Sequence, residues 1–102
     1  MSVRVEPAGD GETPRRAELE DWFRAEGLTP RPWGNGPGDR YGRHRHDYHK
    51  VLFCVSGSIV FHTDEGDVEL HSGDRLDVEA GTDHAATVGP DGVECIEAAR
   101  PV

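Results

Sequence analysis

Two histidines one residue apart, His44 and His46, are the residues of this sequence that point most directly to chemistry. They precede an apolar run, residues 51–55, whose β-branched and aromatic side chains predict a strand. On a strand, residues i and i+2 project from the same face, roughly 6–7 Å apart along the chain. A metal ion can bridge two imidazoles at that separation, because each ligand nitrogen needs to lie only about 2.0–2.1 Å from it. The spacing therefore indicates that both histidines can ligate one ion.

A third imidazole, His84, follows a predicted turn and precedes a short apolar strand, residues 85–88. Three histidines from two strands form the kind of metal centre that leaves one position open for water or substrate. The competing interpretation is a solvated surface pair, because a chain with 6 histidines produces such a pair by chance. A three-imidazole centre suits zinc, nickel, iron, copper or manganese, and the spacing does not select among these divalent metals.

Two stretches around these histidines resemble the two sequence motifs of the cupin family. Residues 38–57 follow the pattern G-x5-H-x-H-x3-E-x6-G at every step, except that Lys50 stands where the glutamate belongs. Residues 73–88 resemble the pattern G-x5-P-x-G-x2-H-x3-N, with Glu79 in place of the proline and Val88 in place of the asparagine. Fifteen residues separate the two motifs, a spacing that is similar to that of small single-domain bacterial cupins.

The resemblance implies an all-β fold, the cupin-type double-stranded β-helix or jelly-roll barrel, here with a short N-terminal α-helix. It also implies a divalent transition metal held by His44, His46 and His84. The activity that it implies is that of a metal-dependent enzyme, dioxygenase-like or isomerase-like, acting on a small molecule. The alternative is a non-catalytic cupin that binds a small metabolite or a metal, and no residue is assigned a catalytic role.

Lys50 is the main departure from the family pattern, since cupins commonly use the glutamate at this position as a further metal ligand. An ammonium there would repel a divalent ion, because two unit charges ~4 Å apart interact at about 4 kcal/mol at an effective dielectric of 20. Three outcomes stay open: Lys50 is neutral, Lys50 swings away, or His49 turns inward as a fourth ligand. Simple alternation along the strand disfavours His49. A site that has lost its metal is the remaining alternative.

Tyr48 and Cys54 share the strand parity of the two histidines, so both could line the cavity beside the ion. For Cys54, simple filling of the core is the favoured interpretation. The two cysteines, Cys54 and Cys95, lie in strand-like runs and not in a spaced framework. This pattern favours buried free thiols in a reducing compartment over a disulfide.

Composition limits the partners of the chain. Its 102 residues are enough for one small domain with a modest core. The net charge of −9 argues against nucleic acid, because no basic stripe is available to replace phosphate counterions. We see no secretory leader and no long apolar segment, which predicts a cytoplasmic protein without a membrane partner. A small-molecule ligand and a homodimer are the partners that we expect.

Three parts are expected along the chain. Residues 1–12 form a flexible arm, unless Val3 and Val5 make a short edge strand. Residues 13–37 form a helix and an extended connector, and residues 38–102 form the barrel. Strands that recur between glycine-rich turns, such as the turn predicted at residues 89–92, favour a closed or double-sheet β architecture.

The predicted helix has sequence signals at both ends. Thr13 is its expected N-cap, Pro14 its first residue, and Gly27 its stop. One apolar stripe at helical spacing should pack on the barrel or on a partner chain, because so short a helix does not persist alone. The stripe consists of Leu19, Trp22 and Phe23.

Overall fold

Strands make up most of the molecule, and one helix lies on the outer side of the sheet. A computed structural model of the chain describes residues 2–8 and 14–101. The predicted all-β architecture with a short N-terminal helix is confirmed. In chain order the elements are β1 (Val3–Glu6), α1 (Arg16–Ala25), β2 (Arg31–Asn35), β3 (Arg40–His44), β4 (His49–Thr63), β5 (Gly66–His71), β6 (Arg75–Val78) and β7 (His84–Arg100).

Two long antiparallel strands, β4 and β7, organise the sheet. The run 51–55, which the sequence predicts as a strand, is part of the longer β4, which continues to Thr63. β5 and β6 pair with β4, whereas β2 and β3 pair with β7. Residues Val3–Glu6 form the edge strand β1, which pairs with β6. Strands from before residue 38 therefore belong to the same sheet as the histidine-bearing strands.

The predicted turn at residues 89–92 is wrong, because β7 continues through it. On β4, Ser58 alone lies opposite these four residues, so both strands bend here without reversing. Gly57 and Gly92 flank the bend with φ of 76° and 77°. A Cβ at Gly57 would lie 2.0 Å from the carbonyl oxygen of Gly92, so only glycine allows this close approach.

Side chains alternate along β4 and β7, so the sheet has two buried faces. The first, which we call the interior cluster, contains the fully buried Leu52, Cys54 and Cys95. The second, the helix-side cluster, places Phe23 of α1 against Phe53 of β4, with ring centroids 5.6 Å apart at 90°. Cys54 therefore fills the core, and both cysteines are free and buried as expected. The helix-side cluster consists of Leu19, Phe23, Val51, Phe53, Ile96 and Ala98.

Helix α1 begins at Arg16, two residues later than the sequence predicts. Its expected N-cap, Thr13, lies outside the described residues. Pro14 packs instead against the turn at Gly73, before the helix starts. Gly27 ends the helix as predicted, with a φ of 74°. Within residues 2–8 and 14–101, no helix is long and apolar enough to cross a membrane.

Candidate metal centre and its cavity

The three candidate ligands come from the ends of two paired strands. His44 is the last residue of β3 and lies directly opposite His84, the first residue of β7. His46 lies beyond β3, in the bend that precedes His49 and β4, so the continuous strand predicted through both histidines is wrong. The carbonyl oxygen of His46 accepts a hydrogen bond from the Gly81 amide at 2.8 Å, which ties this bend to the segment before β7.

The three imidazoles converge inside the sheet. One ring nitrogen from each of His44, His46 and His84 lies within 4.8 Å of the other two. Their ring centroids are 4.3–5.4 Å apart. His84 is 1% exposed, whereas His44 and His46 are half-buried. The arrangement could hold a metal ion while leaving one side open to the cavity.

Hydrogen bonds fix the orientation of two of these rings. Nδ1 of His44 lies 2.6 Å from the carbonyl oxygen of Gly42, and Nδ1 of His84 lies 3.0 Å from that of Thr82. Since a carbonyl only accepts, each Nδ1 carries the proton and donates it, which leaves Nε2 as a free acceptor.

Two ring nitrogens of the three histidines have no protein partner among the described residues. Among the described residues, Nε2 of His46 and Nε2 of His84 are buried without a hydrogen bond. A buried polar atom without a partner is costly, so a missing partner is expected at this point. A divalent cation is an acceptable partner for an unprotonated imidazole nitrogen, and the residues present therefore fit a metal ion.

The protonation of the centre also suits a metal. Burial lowers the pKa of His46 below its usual value, and the nearby Lys50 ammonium and the other two histidines lower it further. Burial likewise lowers the pKa of His84, against a smaller opposing effect of its hydrogen bond to Thr82. Both rings are therefore held in the neutral form, which is the form that ligates metals.

A two-contact ion pair joins the segment of His44 and His46 to the segment of His84. Arg45 stands between His44 and His46, and its guanidinium binds Asp83 through two contacts of 2.8 and 3.1 Å. Arg43 adds a contact of 3.4 Å to the same carboxylate. The carboxylate of Asp83 therefore binds the two arginines. Its position next to His84 in the sequence does not make the two residues a catalytic dyad.

Lys50 is accommodated by an ion pair that sequence reasoning missed. Its ammonium is buried and lies 3.1 Å from Oε1 of Glu97, and the Trp33 indole N–H donates to the same oxygen. The signal that could have found Glu97 is strand parity. The side chains of Val93 and Cys95 lie in the interior cluster, on one face of β7. Glu97 is the next residue on that face, because every second residue of a strand projects to the same side.

A cavity of about 420 Å³ opens beside the three imidazoles, within the usual range for small-molecule pockets. Lys50 and Glu97 form its charged wall. The rest of the wall combines large apolar surfaces with one further cation. These remaining lining residues are Arg31, Pro32, Trp33, Tyr41, Phe61 and Ala86.

The other predicted pocket residues do not join the centre. Nδ1 of His49 accepts a hydrogen bond from the Ala80 amide at 3.0 Å, and this ring lies in a separate recess. The ring of Tyr48 is 4.9 Å from that of His46, but Tyr48 lines a neighbouring depression. Cys54 belongs to the interior cluster. The structure therefore brings Lys50 to the cavity and leaves the other three outside it.

Comparison with known proteins identifies both motifs as part of one domain. A family model described as cupin domain matches residues 35–96. A quercetin 2,3-dioxygenase of Bacillus subtilis is 40% identical over 52 residues, which are 49% of this chain and 15% of that enzyme. The chain thus spans a small fraction of this relative's length.

Solved structures share the fold. A chain from crystal structures of DMSP lyases is 29% identical with a TM-score of 0.68, over 74% of this chain and 39% of that one. An RmlC-like cupin of Shewanella frigidimarina is 25% identical with a TM-score of 0.64, over 74% of this chain and 67% of that one.

Proposed function

The chain belongs to the cupin domain family, and from this premise we propose that it is a metal-dependent enzyme acting on a small molecule. His44, His46 and His84 hold one divalent transition-metal ion. The observation that carries this proposal is the convergence of three ring nitrogens within 4.8 Å, in histidines of which two, His46 and His84, have a buried Nε2 without a partner. The 40% identity with a quercetin 2,3-dioxygenase over 52 residues supports the enzymatic assignment.

The residues of this chain have separate tasks in such an enzyme. A bound divalent ion supplies Lewis-acid polarisation of a substrate oxygen. The carbonyl groups of Gly42 and Thr82 hold two imidazoles in the ligating tautomer. The aromatic wall formed by Trp33 and Phe61 limits the access of water to the substrate.

A second function, binding without turnover, is favoured by the pair of Lys50 and Glu97. The carboxylate of Glu97 is the one acidic group among the described residues that line the cavity, and an ammonium occupies it at 3.1 Å. The Lys50 ammonium and the Trp33 indole N–H both bind Oε1 of this carboxylate, so it is not placed to act as a proton acceptor for a substrate. A non-catalytic cupin that binds a metabolite or a metal would need no such acceptor.

Metal analysis of the purified protein tests the centre directly. We expect about one divalent ion per chain, and a His84→Ala variant that binds metal on the order of 100-fold more weakly, since even an outer-shell change commonly costs 10–100-fold. The control is His71→Ala, because His71 is exposed on β5 and lies outside the cavity. Equal metal affinity in His84→Ala and the original protein would refute the centre.

Two measurements then separate enzyme from binder. Stoichiometric iron or nickel together with O₂ uptake on added small molecules supports the enzyme. Thermal stabilisation by a ligand in the absence of turnover supports the binder.

A further inference from the structure

The cavity beside the imidazoles is lined by charged side chains of both signs. Lys50 and Glu97 face it, but their ion pair of 3.1 Å leaves little net charge on that wall. Because the indole of Trp33 donates to the same carboxylate oxygen, Glu97 is committed to protein donors. No second carboxylate occurs among the described residues that line the cavity.

One cation of the cavity is left uncompensated. Arg31 of β2 is the cross-strand neighbour of Glu97, yet the carboxylate binds Lys50. Within the described parts of the chain, Arg31 takes part in none of the ion pairs. Its side chain is exposed at the wall of the cavity, where it can meet an incoming molecule.

The proposed ion would add to this positive charge. Three imidazoles contribute no negative charge, and the position at which the family pattern has a glutamate carries Lys50. Metal sites and buried cations are stabilised by anionic partners. An anionic ligand would therefore meet positive charge that the protein leaves uncompensated.

We propose that the cavity binds a small organic carboxylate with an apolar body. The carboxylate supplies the negative charge that the three-histidine centre lacks, and Arg31 attracts it to the cavity. The apolar body packs against Trp33, Phe61 and Pro32, which form the neutral part of the wall. This inference rests on the proposed metal centre and adds the class of its ligand.

Pairs of matched probes test the charge requirement. Benzoate and benzamide have the same shape, as do hexanoate and hexanamide, but only the first of each pair is an anion. We expect the zinc-loaded protein to bind the carboxylate at least tenfold more tightly than the amide in at least one pair, as measured by calorimetry at constant pH and ionic strength. Equal affinities in both pairs, or no binding of either carboxylate, would overturn the proposal.

Variants assign the preference to the chain itself. Arg31→Gln should weaken carboxylate binding at least threefold and leave amide binding unchanged. Lys50→Met should act in the same direction, because it leaves the Glu97 carboxylate to repel the anion. The control is Arg40→Gln, since Arg40 is also exposed but lies outside the cavity lining. A loss that is equal in Arg31→Gln and Arg40→Gln would count against a specific role of Arg31.

Zinc content, measured first on each sample, separates this proposal from the one on which it rests. Full zinc loading without a preference for carboxylates overturns only the ligand class. Absence of zinc binding overturns the metal centre and the ligand class together.

Discussion

The two faces of strand β4 differ in their side chains: one packs under the helix, and the other leads from the core to the cavity. The helix-side face presents Val51 and Phe53, and it is apolar throughout the cluster under α1. The opposite face starts with Cys54 and Leu52 in the interior cluster and reaches the charged Lys50 in the cavity. One face therefore serves the stability of the fold, whereas the other passes from core to site within five residues of strand.

β7 repeats this division. Ile96 and Ala98 face the helix, while Val93, Cys95 and Glu97 point inward and end in the same ion pair as β4. A strand that is buried on both faces reads as a continuous apolar run, which is why residues 51–55 show no polar alternation. The comparison predicts that substitutions on the helix-side face change mainly the free energy of unfolding. Substitutions on the cavity face should change mainly ligand and metal binding.

The largest effect is expected on the helix side. Phe23→Ala removes a ring that is fully buried between the helix and β4, and should lower the free energy of unfolding by about 3–5 kcal/mol. The metal affinity of the folded protein should not change, because the ring lies on the face away from the cavity. Urea denaturation and metal titration measure the two quantities, with the exposed Arg24→Ala on the same helix as control. A parallel loss of metal affinity would break the comparison.

The cavity face alone should make stability depend on pH through its histidines. Burial depresses the folded-state pKa of His46 and His84, so the unfolded chain binds their protons more readily. This contribution to the stability of the metal-free protein is fully present above the unfolded pKa of about 6.5 and is lost as the pH falls towards the depressed folded values. Urea denaturation between pH 8 and pH 5 measures it.

Two variants show from which face this pH dependence comes. His84→Ala should flatten the profile, whereas Phe23→Ala should lower the free energy of unfolding at every pH without changing the slope. If His84→Ala leaves the slope unaltered, the pH dependence originates elsewhere.

The smallest effect is expected at the rim, where Arg45 and Asp83 join the histidine segments. If charge alone mattered, Arg45→Ala would strengthen the binding of a cation and Asp83→Asn would weaken it. A positional clamp predicts that both weaken metal binding, each by roughly 2–5-fold, in keeping with about 0.2–1 kcal/mol for an exposed pair. Zinc titration against a chromophoric chelator decides between the charge effect and the clamp. If the clamp is correct, the double variant should bind zinc no more weakly than the single variant with the lower affinity. Opposite signs would reject the clamp.

The sequence predicts the all-β fold and identifies the three histidines as candidate metal ligands, because motif spacing and strand patterns are local properties. Strand parity can place Glu97 on the inward face, but its ion pair escapes such reasoning, since Lys50 lies 47 positions away and only the pairing of β4 with β7 makes them neighbours. The sequence predicts a turn at residues 89–92, where the structure has a bend within β7, because glycine and proline favour both structures. The homodimer and the cytoplasmic location stay predictions.

The pairing of β4 with β7 also sets when the three imidazoles can come together during synthesis of the chain. Strand β4 is complete before β7 is synthesised, and β7 carries both His84 and Glu97. Until then β4 has an unpaired edge and two apolar faces, the condition in which nascent chains associate wrongly. A chain that stalls before β7 can therefore neither bring the three imidazoles together nor pair Lys50 with Glu97.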